Sequence, residues 1–472
     1  MDKIRIQTLF LCILLLGFLL GACENVVLPE ESEAEPEDQE QEQIDRLPDK
    51  QEYAGYNFIV AVTENSEGLF FNPESSESLV KTAVDTRNRL VTEKYGIIIE
   101  TRMIKENEAE ADIKTAAEAG EQYADLLCLS GEALVSLADG GLLYNLLESE
   151  DFDIEAKYVE TENAINIAVN NALYMIYDSA TQYYDDIWVV FCNRELVADA
   201  ELTDPALLAE TGLWTWQRFL DYSERIAYSV VNKGSPDLKT DIFGYASYHS
   251  DETLSLVMWE SCGIPMFGDT YLQPVTVREE LTAVNEAAAL LKTVFNSKSR
   301  FPLQQNDAVE AFNEGRVAFF IHRLEYAAAL ESAEIEWCLL PLPMRSVEQE
   351  GYKSFTDTKA IAMAIPANVT DPQRSVVLMN AFCAASGEAM KKAVYNKYVN
   401  LFFQNNTSTV MLETVLDTAY FDMAALYGSR NKKVAEISVD VIVSAISSNG
   451  VIDRAIENLK DSFEKYSAEK FT

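Results

Sequence analysis

The chain has 472 residues, 48% hydrophobic and 10% aromatic, with a formal net charge of −40. This composition belongs to a folded protein, and the length exceeds one ordinary core, which predicts two lobes or domains. The charge repels phosphate backbones and anionic head groups, so nucleic acid is excluded as a partner.

In chain order, Lys3 and Arg5 precede an apolar run from Leu9 to Leu20, closed by Leu20-Gly21-Ala22-Cys23. A positive start, a short apolar core and small residues before a cysteine read as an export signal over 1–22. A core of ~12 residues is too short to span a bilayer comfortably. The last four residues resemble the lipobox of bacterial lipoproteins, which implies that Cys23 takes a lipid and becomes the mature N-terminus. Residues 23–52 follow as an acidic tether. Its stretch Glu30–Glu42 alternates acids with Gln, Ser, Ala and Pro, has no apolar face, and is expected to stay extended. No later segment has 18 uncharged apolar residues.

Strands are predicted at Asn57–Thr63, Ile97–Ile104 and Ala124–Ser130, with helices at Ser76–Tyr95, Glu108–Ala119 and Glu132–Ala138 between or after them. That alternation predicts a parallel sheet with crossover helices. Ala172–Tyr177 and Ile187–Asn193 read as two more buried strands. Helices follow at Leu213–Tyr228, opened by an N-cap at Thr215, and at Asp251–Ser261, Arg278–Phe295 and Gln305–Glu314. Val317–Ile321, Glu336–Leu340 and Lys359–Ile365 are strands. From Asp371 the pattern is helical, with segments at Pro372–Ala385, Ser408–Tyr420, Lys432–Ser447 and Ile452–Tyr466. Beyond the signal and Cys23, five cysteines sit mostly in apolar runs without a C-x-x-C, as buried free thiols do. Two histidines, His249 and His322, are too few for a His-rich metal site.

Four stretches carry a resemblance to extracellular solute-binding proteins of the carbohydrate-type ABC importer class, spread over nearly all of 53–400. They are Leu137-Ala-Asp-Gly-Gly-Leu-Leu-Tyr-Asn-Leu146, Val190-Phe-Cys-Asn-Arg194, Gly212-Leu-Trp-Thr-Trp-Gln-Arg-Phe219, and Ala311-Phe-Asn-Glu-Gly-Arg-Val-Ala-Phe-Phe-Ile321 with Leu339-Leu-Pro-Leu-Pro343 after it. The resemblance implies an α/β, periplasmic-binding-protein-like type II fold: two α/β lobes, a hinge, an interlobe cleft and a helical C-terminal region. Lobe 1 is expected at 53–180 and 358–400, lobe 2 at 181–357 and 401–472. Gln217 and Arg218 replace the family's acids. His322-Arg323-Leu324-Glu325-Tyr326 stands where the family often has Asn-Gly-Pro-Trp.

Open α/β sheets bind ligand beyond the carboxyl ends of their strands. That rule selects Asn65, Ser66 and Glu67; Ser130, Gly131 and Glu132; and Tyr183, Tyr184, Asp185 and Asp186 in the crossing segment. It also selects Tyr248, His249, Asp251 and Glu252 before a helix containing Trp259, and His322, Arg323, Glu325 and Tyr326. From these the expected ligand-binding set is Ser66, Glu67, Ser130, Glu132, Tyr183, Tyr184, Asp185, Asp186, Glu252, Trp259, Arg323, Glu325 and Tyr326. Tyr183 and Tyr184 serve equally well as hinge packing, and Trp259 lies on an apolar helix face. No nucleophile elbow, zinc-protease motif, phosphate loop or dinucleotide fingerprint occurs. The reading is a lipid-anchored, monomeric, extracytoplasmic receptor for a saccharide or similar polar small molecule, without cofactor or metal, partnered by an ABC permease. Its alternatives are an extracytoplasmic carbohydrate-active enzyme and the ligand-binding module of a sensor system.

Overall fold

The computed structural model describes residues 36–70, 78–169, 171–232, 235–265, 281–401, 406–430 and 439–447. The export signal, Cys23, the first part of the tether and the helix expected at 452–466 lie outside them. The chain divides into Met1–Gln39 and Glu40–Thr472. The first unit is described only at Pro36–Gln39, which are helical residues of α1 (Pro36–Asp45).

The second unit begins inside the stretch expected to be an extended tether, and that expectation is corrected from Glu40 onward. Ile44 and Leu47, beyond Glu42, are buried, so the end of the tether has an apolar side. The Glu40 carboxylate accepts a hydrogen bond from Ala389 N at 3.0 Å. It thereby serves the positive start of a later helix. Burial raises its carboxyl above the ordinary value.

Two four-stranded sheets follow. The first has the order β2-β1-β3-β9, with β9 at Ile361–Ala364. Strand β1 (Asn57–Val62) runs parallel to β2 (Ile98–Met103) and β3 (Leu126–Ser130). Apolar runs make β1 and β3, while β2, Ile-Ile-Glu-Thr-Arg-Met, is an edge strand with no buried residue. The intervening helix α2 (Leu79–Tyr95) is capped by Ser78, whose hydroxyl accepts from Lys81 N, and ends at Gly96 with φ +65°. Helices α3 (Ala109–Glu118) and α4 (Gly131–Asp139) complete the expected alternation. After α5 (Thr161–Ile167), Ala172–Tyr177 is not the ladder strand expected. It makes only single bridges, Val169 with Ala172 and Ile176 with Met363.

The second sheet has the order β5-β6-β4-β7. Strand β4 (Trp188–Asn193) lies antiparallel between β6 (Val317–Arg323) and β7 (Trp337–Pro341). Around it pack α6 (Arg194–Asp199), α7 (Pro205–Glu210), α8 (Trp216–Ile226), α9 (Tyr228–Asn232), α10 (Asp251–Glu260), α11 (Leu281–Phe295) and α12 (Asn306–Asn313). Strand β5 (Phe243–Ser247) was not anticipated, because Phe-Gly-Tyr-Ala-Ser lacks a branched apolar run. Gly244 explains it: a Cβ there would lie 2.4 Å from Ser223 O, so α8 packs directly on bare backbone.

Two segments connect the sheets. Residues 183–187 lead into β4, and 356–360 lead from β8 (Ser354–Phe355) into β9 (Ile361–Ala364), which adds antiparallel to β3. The two passages touch: Ile187 bridges Thr356, and Asp357 N donates to Asp186 O at 3.0 Å. Helices α13 (Pro372–Ala384) and α14 (Gly387–Leu401) precede α15 (Asn406–Asp417), which packs on β7, where Ser408 Oγ accepts from Leu339 N at 2.9 Å. Strand β10 (Ala419–Tyr420) pairs with β8, followed by α16 (Met423–Gly428) and α17 (Val439–Ser447). All five described cysteines are buried and free.

Candidate functional site

The crossing segments bring the ends of both sheets to one pocket of about 410 Å³. Each wall comes from a different part of the chain. Glu132 sits in the first turn of α4, directly after β3, where Ser130 Oγ caps the helix by accepting from Ala133 N. Arg323 ends β6 and faces Trp188, which opens β4. His249 follows β5, Glu252 lies in α10, and Asp357, Thr358 and Lys359 form the turn between β8 and β9. Gly131 permits this convergence: a Cβ there would lie 1.9 Å from Tyr177 Oη and 2.9 Å from Thr358 O.

The polar groups are already ordered. Glu132 Oε1 accepts from Thr358 Oγ1 at 3.0 Å, and its Oε2 meets Arg430 Nη2 at 2.9 Å. Arg323 reaches Asp186 Oδ1 at 2.6 Å and also pairs with Glu325. Burial pushes the Asp186 carboxyl up to about 7, with Arg323 opposing. Burial also works to lower Arg323, but Asp186, Asp357 and Glu325 outweigh it and hold the guanidinium above its ordinary value. His249 and His322 are neutral at pH 7, because burial pulls them down to about 4 and about 3. They belong to a ring cluster. Trp188 meets His249 edge-on at 4.7 Å, and His322 stacks on Tyr326 at 4.7 Å.

Of the residues selected from sequence, Glu132, His249, Glu252 and Arg323 line this pocket, and all but His249 belong to the expected ligand-binding set. Asp186 and Glu325 reach it through Arg323. The others are engaged elsewhere. Ser66 is buried, accepting from Thr63 N and donating to Cys128 O, with Glu67 half-buried beside it. Ser130 caps α4 and donates to Glu106. Tyr183 and Tyr184 are buried against each other with ring centroids 4.4 Å apart, and both hydroxyls donate to Glu160. Asp185 receives Lys397 Nζ at 2.7 Å and Tyr398 Oη at 2.5 Å. Trp259 is buried with Nε1 donating to Ile264 O, and Tyr326 is buried with its hydroxyl donating to Asn313. Trp188, Asp357 and Lys359 were not anticipated. They lie at the start of a strand or in a crossing turn, where a rule about carboxyl ends does not look.

Further hollows lie among the described residues. One of about 460 Å³ borders Glu160, Tyr183 and Lys391. One of about 540 Å³, near Leu213, Val347 and Val410, carries a single charged side chain, Glu210. The latter is larger, but beside Glu210 its polar lining is uncharged, from Thr211, Gln349, Tyr352 and Thr414, and it lacks the carboxylates and cations that converge from the ends of both sheets on the pocket at the crossings, which is the candidate site.

Two α/β lobes joined by paired crossings, with a polar pocket where they meet, define a periplasmic-binding type of ligand receptor. Residues 91–399 match the model of the bacterial extracellular solute-binding protein family, and the chain belongs to that family. Among solved structures it resembles an ABC substrate-binding protein from Listeria monocytogenes in complex with cycloalternan. That match has 14% identity and a TM-score of 0.53, over 88% of this chain and 99% of the other. It also resembles the GacH receptor of Streptomyces glaucescens, solved unliganded and in complex with acarbose and an acarbose homolog. Here identity is 12% and the TM-score 0.52, again over 88% and 99%. Both share its fold. No curated protein matches the chain in sequence.

Proposed function

We propose that this chain is the lipid-anchored receptor of an ABC importer, binding a saccharide or similar polar small molecule in the pocket at the crossings. The observation that carries this is the pocket's composition. Carboxylates and cations from the ends of both sheets line it together with Trp188, the kinds of group that hydroxyl-rich ligands require. The two solved structures of the same fold were determined with oligosaccharide-type ligands, which supports the same class. In this reading residues 53–180 with 358–400 close as one lobe on 181–357 with 401–472, ligand prefers the closed form, and that form docks on a permease as a monomer. Cys23 would hold the receptor at the outer face of the membrane. Among the described residues no helix is long and apolar enough to cross it.

The test is a thermal-shift screen of the mature chain against cycloalternan, acarbose, maltotriose, oligopeptides and polyamines. A saccharide at 100 times its dissociation constant should stabilise by ~2.7 kcal/mol, be recovered unchanged, and bind more weakly to Glu132→Ala. Labelled palmitate should enter the full-length protein and not its Cys23→Ala variant. Stabilisation by peptides or polyamines alone, or cleavage of the sugar, would sink the receptor reading.

A further inference from the structure

One wall of the pocket holds three nitrogens without partners. Among the described residues, Trp188 Nε1, His249 Nε2 and Arg323 Nε are each shut away from solvent and make no hydrogen bond. All three residues line the pocket, and Trp188 is wholly buried. Their positions are fixed by β-pairing of Trp188 with Arg323 and by the edge-on contact of Trp188 with His249. Buried groups of this kind are scarce in folded proteins, because each forfeits its hydrogen bonds to water. Arg300 Nε and Arg374 Nε are further examples outside this lining, so it is the gathering of three on the residues of one pocket that points to a ligand there.

The chemistry of that ligand follows from the wall. An indole N–H only donates, and a neutral imidazole Nε2 donates or accepts according to its tautomer. Burial keeps His249 neutral. A hydroxyl, which does both, matches this pair. An anionic group does not, because the charged side chains around it are unbalanced. Glu132, Glu252, Asp357 and Asp440, with Asp186 and Glu325 behind them, stand against Arg323, Lys359 and Arg430, and both arginines are already engaged, Arg323 by Asp186 and Glu325 and Arg430 by Glu132. The whole chain adds its own negative field.

We propose that Trp188 and His249 form a specificity subsite that hydrogen-bonds a hydroxyl of an uncharged saccharide, while the surrounding carboxylates turn away acidic sugars and sugar phosphates. The proposal rests on the saccharide-receptor reading.

It is tested by calorimetric titration of the mature chain at pH 7 with maltotriose, cellotriose and cycloalternan as uncharged probes. Trigalacturonate and glucose 6-phosphate serve as acidic ones. At least one uncharged probe should bind, and both acidic probes should bind at least tenfold more weakly. Trp188→Phe and His249→Phe should each weaken the uncharged probe by about 3- to 10-fold, with ligand-free melting temperatures near that of the parent. His249→Gln, which restores a polar atom, should recover part of the loss. Should Trp188→Phe not fold, the two His249 variants decide. If the variants bind like the parent, or an acidic probe binds as tightly, the subsite is overturned and the receptor reading stands. If no saccharide binds, both fall.

Discussion

Arg323 shows how much one side chain can organise. It ends β6, holds Asp186 of the first crossing segment at 2.6 Å, pairs with Glu325, and lines the pocket. Both partners of the Asp186 pair are four-fifths shielded from water. Removing the guanidinium leaves a carboxylate buried without its cation, which costs more than the pair itself contributes. Arg323→Met should therefore destabilise by roughly 3 kcal/mol at pH 8. The sign of its pH dependence is fixed by Asp186. Without Arg323 opposing, the carboxyl rises further above its unfolded value, so it is protonated and cheap to bury at pH 5 and costly at pH 8. Urea unfolding at both values should show the larger deficit at pH 8, and Asp186→Asn in the same chain should recover most of it. An equal deficit at both pH values would mean that Arg323 acts through packing alone. The strand-end rule selected Arg323 and Glu132 from sequence because each follows an apolar run that ends in polar residues, and Glu252 as one of the polar residues ahead of the helix that contains Trp259. Trp188 and Asp357 were not selected. Trp188 looks like strand core, and Asp357 looks like a solvated turn until the two crossings are seen to touch.

At the scale of elements, local pattern located most strands and helices, because their apolar spacing and caps are local facts. Ser78, Thr215 and Asp371 each accept from a backbone N–H as N-caps should. What local pattern missed is where one element lies against another. Gly244 makes β5 possible only because α8 needs the space, and Glu40 is buried because the start of α14 attracts it. Gly131 is the same kind of residue at the site. Its missing Cβ lets α4 begin against Tyr177 and the Thr358 carbonyl, which places Glu132 on the pocket. Tyr177 cannot give way freely, since its ring stacks on Phe421 at 3.8 Å. Gly131→Ala should cost roughly 1–3 kcal/mol in stability and should weaken saccharide binding further by moving Glu132. Thermal unfolding and titration of the same variant measure both. A variant that melts and binds like the parent would show that α4 can shift without consequence.

For the whole molecule, the acidity reads from sequence as a solvated surface, and much of it is. Asp125 is wholly buried, and six further carboxyls among the described residues, Glu40, Glu160, Asp178, Asp186, Glu260 and Asp422, are raised, in each case chiefly by burial. Composition could not reveal them, because burial is decided by contacts far apart in the chain. The six raised carboxyls set the pH dependence of stability. A carboxyl with a folded value above its unfolded value of about 4 holds its proton in the native state after the unfolded chain has released it. Stability from this source is present below pH ~4 and is lost as pH rises through the raised value, about 7 for Asp178 and Asp186. His249 and His322 act the other way. Their folded values lie below the ordinary one, so their contribution is present above pH ~6.5 and is lost on acidification towards about 4 and about 3. Six groups oppose two, and self-repulsion at a formal charge of −40 grows as the remaining carboxyls ionise. The protein should be most stable near pH ~5 and lose on the order of 3 kcal/mol by pH 8. Sodium chloride at ~0.5 M should restore only the part due to surface repulsion, since buried carboxyls are little screened. Urea titrations at pH 5, 6.5 and 8, with and without salt, measure both parts. Stability that holds level or climbs from pH 5 to pH 8 would mean that these carboxyls are ionised and well solvated in the folded chain.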